Sequence, residues 1–107
     1  MQEPGLDRHE WETELQQLEP SLQDEPASAL PELTDLVERM LAERGYDLTE
    51  PVTREGAERE VVAEYLAARE VADRIDGGDA PDPGDVGQAV QGLLAVFETL
   101  VSERAAP

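Results

Sequence analysis

The amino-acid sequence predicts an all-α fold: an antiparallel helical bundle of three long helices plus a shorter N-terminal helix, in a single domain over residues 1–107. Apolar side chains recur every three or four residues in four segments, which is the spacing of one helix face. No segment shows the alternation of a half-buried strand. Proline and glycine fall between the four segments, where they end one helix and start the next. The connections are short, so consecutive helices should be neighbours.

The first helix is predicted over residues 8–19. Asp7 is a suitable N-cap residue, because its carboxylate can accept a hydrogen bond from a free backbone N–H of the first turn. Trp11 begins the apolar face and is expected in the core. Pro20 should end the helix, since its ring clashes with the preceding turn. Residues 21–26 are expected to form an ordered loop.

The second helix is predicted over residues 29–44. Ser28 is a candidate N-cap, and Pro31 then falls in the first turn, where a missing N–H costs nothing. Gly45 followed by Tyr46 is typical of a Schellman ending, in which glycine adopts a positive φ and the next residue packs back on the helix.

The third helix is predicted as one continuous rod over residues 54–76, about 34 Å long and the central element of the fold. Two consecutive glycines, Gly77 and Gly78, should end it.

The fourth helix is expected to start with Asp82 as cap and Pro83 as first helical residue and to end near Arg104. It has the most regular apolar stripe of the chain. Gly87 and Gly92 weaken a helix by about 1 kcal/mol each relative to alanine, which indicates that a neighbouring backbone approaches closely.

The composition excludes several function classes. The chain has 26 Asp and Glu residues against 8 Arg and no Lys, for a net charge of −18. Such a chain is repelled by nucleic acids and by anionic membranes, so a charge-steered partner should be basic. It has no Cys and a single His, which excludes disulfides, thiol catalysis and cysteine zinc sites. No segment is typical of a signal peptide or a membrane span, so a cytoplasmic location is expected.

The predicted third helix carries an acidic pattern, Glu55-x-x-Glu58 followed by Glu70-x-x-Asp73. This pattern resembles the signature of MazG-type nucleotide pyrophosphohydrolases, which hold Mg²⁺ with carboxylates of an all-α fold. In one unbroken helix, however, Glu55 and Glu70 would lie about 22 Å apart, too far to share an ion. The sequence therefore predicts that the chain is not an enzyme and has no metal or cofactor, with the hydrolase kept as an alternative.

Aspartates recur every third residue through the last connection, at Asp76, Asp79, Asp82 and Asp85. They lack the ligand order of an EF-hand loop and are interpreted as solvated turn and cap residues. His9 has no nucleophile placed beside it by the pattern and is expected to be an exposed surface residue.

A second apolar face provides the candidate interaction residues. Val62 and Leu66 lie off the main stripe of the third helix, and Val96 lies at the stripe edge of the fourth. Two alternatives remain open: a central helix can bury both faces inside a four-helix arrangement, or the second face can form an interface, most simply a symmetric dimer.

Scattered positions along the chain resemble small, acidic, helical proteins of high-GC bacteria that have no known activity. The positions are Trp11, Asp24-x-Pro26, Leu33-x-x-Leu36-Val37, Asp82-x-x-Asp85 and Phe97-x-x-Leu100. The resemblance implies a helical fold and brings no catalytic residue to this chain.

Taken together, these features predict a non-catalytic protein-interaction module with an acidic surface that self-associates or binds a basic protein. One alternative is an acidic decoy that occupies a basic, nucleic-acid-binding partner. The other is the Mg²⁺-dependent nucleotide hydrolase.

Overall fold

The structure is a computed structural model that describes the backbone of residues 4–46 and 56–105 and the side chains of 9–46 and 59–101. These residues form four α-helices: α1 Pro4–Asp24, α2 Pro26–Glu43, α3 Gly56–Asp76 and α4 Pro83–Ala105. The described residues contain no β-strand, which confirms the all-α prediction for this part of the chain. None of the helices within it has the length and apolar character needed to cross a membrane.

The first helix is longer than the sequence predicts. It extends beyond the predicted 8–19 at both ends, includes Asp7 and continues through Pro20. Leu18 and Leu22, before and after the proline, both pack against the core. Burial of leucine side chains on both sides offsets the roughly 3 kcal/mol that proline costs inside a helix. With 21 residues, α1 is thus not shorter than α2, which has 18.

The connection between α1 and α2 is a single residue, Glu25. Its N–H donates to the carbonyl of Ser21 at 2.7 Å, so the predicted loop is helical up to this point. Pro26 then starts α2, which places Ser28 inside the helix instead of at its cap. Proline suits this first position because its missing N–H would have no partner there, and Pro31 lies further inside the same helix.

The end of α2 has the predicted Schellman geometry. Gly45 has a φ of +84°, and its N–H donates to the carbonyl of Ala42 at 3.0 Å. The N–H of Tyr46 donates to the carbonyl of Leu41 at 3.0 Å. Glycine is required at the positive φ because a Cβ would be strained there, so a local sequence signal alone located this helix end.

The third helix is unbroken over its described length and ends in the same way. Gly78 has a φ of +96° and donates to the carbonyl of Ile75 at 3.0 Å, while the N–H of Asp79 donates to that of Arg74 at 2.8 Å. The predicted start at residue 54 lies outside the described residues. The prediction of one continuous rod is confirmed from Gly56 onward.

The fourth helix begins at Pro83, directly after Asp82, as predicted. The N–H of Val86 donates to the carbonyl of Asp82 at 3.0 Å and closes the first turn. The helix ends at Ala105, one residue from the predicted end.

The centre of the core is α2, not α3 as the sequence predicts. Among the described residues, α2 has extensive contacts with each of the other three helices. The contacts of α4 are extensive with α2 and α3 but weak with α1, and α3 contacts α2 and α4. The buried residues of α2 form one broad face that covers nearly half of the helix circumference: Ala29, Leu30, Leu33, Thr34, Leu36, Val37, Met40 and Leu41. The one buried polar side chain among them, Thr34, donates its hydroxyl to the carbonyl of Leu30 at 2.7 Å.

Among the described residues, no neighbouring backbone approaches Gly87 or Gly92 of α4, contrary to the sequence prediction. A Cβ at Gly87 would meet nothing within 4 Å. A Cβ at Gly92 would overlap the carboxylate of Glu64, which is a flexible side chain on α3. The glycines of α4 therefore weaken the helix without a backbone contact to compensate.

We expect Gly87→Ala to raise the free energy of unfolding by about 0.5–1 kcal/mol, because alanine has the higher helix propensity and meets no neighbour here. Gly45→Ala is the matched control and should lower it by about 1 kcal/mol, because alanine is strained at a φ of +84°. Urea denaturation followed by circular dichroism measures both. A destabilising Gly87→Ala would contradict the geometry of α4.

Candidate interaction surface

The structure places the predicted interaction residues mostly inside the molecule. Val62 has no exposed surface, and Val96 is 3% exposed. Leu66 is half-buried and packs against the core. The reason is that α3 lies against both α2 and α4, so side chains from both of its apolar faces are covered.

The sequence left open whether the second apolar face is buried inside the molecule or forms an interface. Val62 and Val96 are buried inside the molecule. A side chain without exposed surface cannot contact a second chain unless the helices separate. Only Leu66 offers part of its surface to a partner in the folded chain. An interface role of these three residues stays a prediction. Most of the surface that a partner can reach is formed by other residues.

The strongest polar cluster joins α2 to α3 around Arg69. The guanidinium lies 2.9 Å from the carboxylate of Asp35 and also pairs with Glu38. The hydroxyl of Tyr65 donates to Glu38 at 2.9 Å and accepts from Arg69 Nε at 3.2 Å. Four side chains from two helices thus form one connected network.

The electrostatics of this cluster follow from partial burial and from its hydrogen bonds. Burial disfavours the charged guanidinium, but the hydrogen bonds with Tyr65 and Asp35 outweigh it, and the pKa of Arg69 lies above its ordinary value. Burial also raises the pKa of the Tyr65 hydroxyl, and the bond to Glu38 adds to the rise. The guanidinium additionally lies over the Tyr65 ring, 5.6 Å from its centroid.

A second ion pair joins α1 to α2. The two terminal nitrogens of Arg39 donate to the two carboxylate oxygens of Glu14 at 3.1 and 2.6 Å. This fork geometry is specific, but both side chains are well exposed to solvent, so the pair contributes less than a buried one. The hydrogen bond to Glu14 raises the pKa of Arg39.

A third arginine connects three helices. Arg44, at the end of α2, donates to the carbonyl of Leu100 on α4. Its guanidinium carbon lies 5.8 Å from the ring centroid of Trp11 on α1. Trp11 is 5% exposed, which confirms the predicted core position.

Three of the four acidic residues of the hydrolase-like pattern, Glu58, Glu70 and Asp73, lie along α3. Glu70 and Asp73 are exposed on α3, while Glu55 and the side chain of Glu58 lie outside the described residues. Because α3 is continuous, positions 58 and 70 are about 18 Å apart along its axis. Among the described side chains, no group of three or more potential metal ligands comes together.

The other singled-out polar residues are exposed, as predicted. His9 lies on the surface of α1. Asp76, Asp79, Asp82 and Asp85 are all exposed around the connection from α3 to α4, and Asp79 lies 3.8 Å from Arg74.

A groove of about 690 Å³ runs between α3 and α4 on the outer surface. Its lining combines the apolar side chains of Ala67, Ala68, Val71 and Ala89, here called the floor, with the carboxylates of Glu64, Glu70 and Asp85. The full lining is Glu64, Ala67, Ala68, Glu70, Val71, Arg74, Asp85, Gln88, Ala89, Gln91 and Gly92.

Small residues create this groove. Ala67 on α3 is exposed, and Ala89 on α4 is half-buried, so neither fills the space between the two helices. The absence of a side chain at Gly92 lets the Glu64 carboxylate lie against α4. The groove was not predicted. The sequence shows Ala67, Ala68 and Gly92 as small residues, but it does not show that they line one groove between two helices.

With this geometry established, comparison with known proteins adds no relative: no protein-family model, curated protein or solved structure matches the chain. The resemblance to small acidic helical proteins therefore stays an expectation.

The Arg69 cluster should contribute measurably to stability. We expect Arg69→Met, which keeps most of the aliphatic stem, to lower the free energy of unfolding by about 1 kcal/mol, because the side chain is half-buried and its hydrogen bonds are charge-assisted. A double-mutant cycle with Glu38→Gln should give a coupling energy of about 1 kcal/mol.

The matched control for this cycle is Arg39→Met, which breaks an exposed pair and should cost less than about 0.5 kcal/mol. An equal loss of unfolding free energy in the two arginine variants would mean that the Arg69 cluster stabilises the fold no more than an exposed ion pair.

Proposed function

We propose that this chain is a non-catalytic interaction module that binds a basic partner protein through its acidic surface. The observation that carries the proposal is the net charge of −18 on a chain in which three of the five arginines with described side chains, Arg39, Arg44 and Arg69, contact a second helix.

Three arginines make contacts between the helices of the chain itself. Arg39 and Arg69 pair with carboxylates across helices, and Arg44 is directed at a backbone carbonyl and at Trp11. The exposed acidic side chains far outnumber them: Glu10, Glu19, Asp24, Glu25, Glu32, Asp35, Glu43, Glu60, Glu64, Glu70, Asp73, Asp76, Asp79, Asp82, Asp85 and Glu98.

Such a surface attracts basic proteins and repels copies of itself. Long-range attraction between opposite charges speeds association and disfavours acidic partners. Self-association through Val62, Leu66 and Val96 is less well supported, because two of these side chains are buried. A mass above that of one chain in light scattering would favour self-association and count against the proposed binding of a basic protein.

We further propose that consecutive helices run antiparallel, so that the four form a bundle. Three cross-helix contacts support this arrangement: Glu14 with Arg39, Asp35 with Arg69, and Glu64 beside Gly92. In each pair the two residues lie at comparable distances along the chain from the connection that joins their helices, as in an αα-hairpin.

Affinity capture from a bacterial lysate tests the proposed function. The native chain is compared with Leu33→Asn, Leu93→Asn, a double variant that keeps the charge but places polar groups in the core and should unfold. We expect the native chain to retain basic proteins that about 0.5 M salt releases, and the unfolded variant to retain far less.

Two outcomes would contradict the proposal: retention of mainly neutral or acidic proteins, or equal retention of basic proteins by the unfolded variant. Addition of duplex DNA to the capture experiment distinguishes the decoy hypothesis from binding to another basic surface of the partner. If DNA displaces the chain from its partner, the chain occupies a nucleic-acid site, whereas indifference to DNA indicates a different basic surface on the partner.

A further inference from the structure

We propose that the groove between α3 and α4 is the docking site on this chain, and that its occupant is an amphipathic helix of the partner with a small apolar face flanked by lysine or arginine. This inference rests on the proposed function and names the part of the acidic surface that gives it specificity.

The shape of the groove fits a helix. On α3 the lining extends from Glu64 to Arg74, about 15 Å or nearly three helical turns. Its floor includes the side chains of Ala67, Val71 and Ala89. Two helices separated by small side chains leave a furrow into which the ridge of a third helix can pack, as in other complexes that seat a helix in a groove.

The charge of the groove selects a basic occupant. Glu64, Glu70 and Asp85 carry three negative charges around the apolar floor. Arg74 is the single positive side chain of the lining. Its Nε lies 3.8 Å from the carboxylate of Asp79, a residue that does not line the groove. Lysine and arginine beside the apolar face of a docked helix would therefore meet opposite charges, whereas a second copy of this acidic chain would bring like charges together.

The probe is a synthetic amphipathic peptide of about 18 residues, with alanine and leucine on one face and lysine and arginine on the other. A control peptide has the same composition in an order that gives no apolar face. Fluorescence anisotropy gives the dissociation constants, and circular dichroism follows the helix content of the peptide. We expect the amphipathic peptide to bind more tightly than the control peptide and to gain helix on binding.

Two variants of the chain locate the site. Glu64→Gln with Glu70→Gln removes two charges from the groove, and Ala67→Met fills its floor. All three substituted residues are exposed, so both variants should fold: Glu64, Ala67 and Glu70. We expect the first variant to weaken binding about three- to tenfold and the second about tenfold.

The matched controls change the same chemistry elsewhere. Glu10→Gln with Glu19→Gln removes two exposed charges from α1, and Ala42→Met adds the same side chain to the surface of α2. Each should change the affinity less than about twofold.

Equal weakening by the α1 variant would show diffuse charge attraction and overturn the groove as the site. Unchanged binding after Ala67→Met, or equal binding of the control peptide, would overturn it as well. Each of these results leaves the proposed function intact if the native chain still captures basic proteins from lysate. Failure of that capture, in contrast, removes the proposed function.

Discussion

The fold depends on the burial of α2 against the other three helices. Its leucines and Val37 have no exposed surface, and they meet apolar side chains of α1, α3 and α4. Only 24 of the 107 residues are Leu, Ile, Val or Phe, so the apolar side chains of one helix must serve several contacts. The arrangement gathers a limited apolar content into one core, and it also explains why the spare face of α3 is covered.

Charge is the opposing constraint. A net charge of −18 makes the compact chain repel itself, and three arginines reduce this repulsion by contacts between helices. Arg39 joins α1 to α2, Arg69 joins α2 to α3, and Arg44 connects the end of α2 with α1 and α4. Three of the five arginines with described side chains thus contact a second helix, while carboxylates predominate among the exposed charged side chains. The proposed binding of a basic partner follows from this distribution.

Local signals and packing differ in what the sequence reveals. The ends of α2 and α3 were predictable because a glycine at positive φ is a property of a few adjacent residues. The continuation of α1 through Pro20 could not be predicted from local signals, because it depends on leucines that pack against the core. The same holds for Val62, whose burial depends on which helix covers the second face of α3. The groove required knowing that Ala67 lies opposite Gly92 and Ala89, which no periodicity within one helix can show.

If α2 forms the shared buried surface of the fold, native-state hydrogen exchange should reveal it. We expect amides in the middle of α2, around Leu36, to exchange only through global unfolding, with a free energy equal to that from urea denaturation, while amides of α1 exchange faster through local opening. Exchange of α2 as fast as that of α1, with α3 and α4 still protected, would show that the core does not depend on α2.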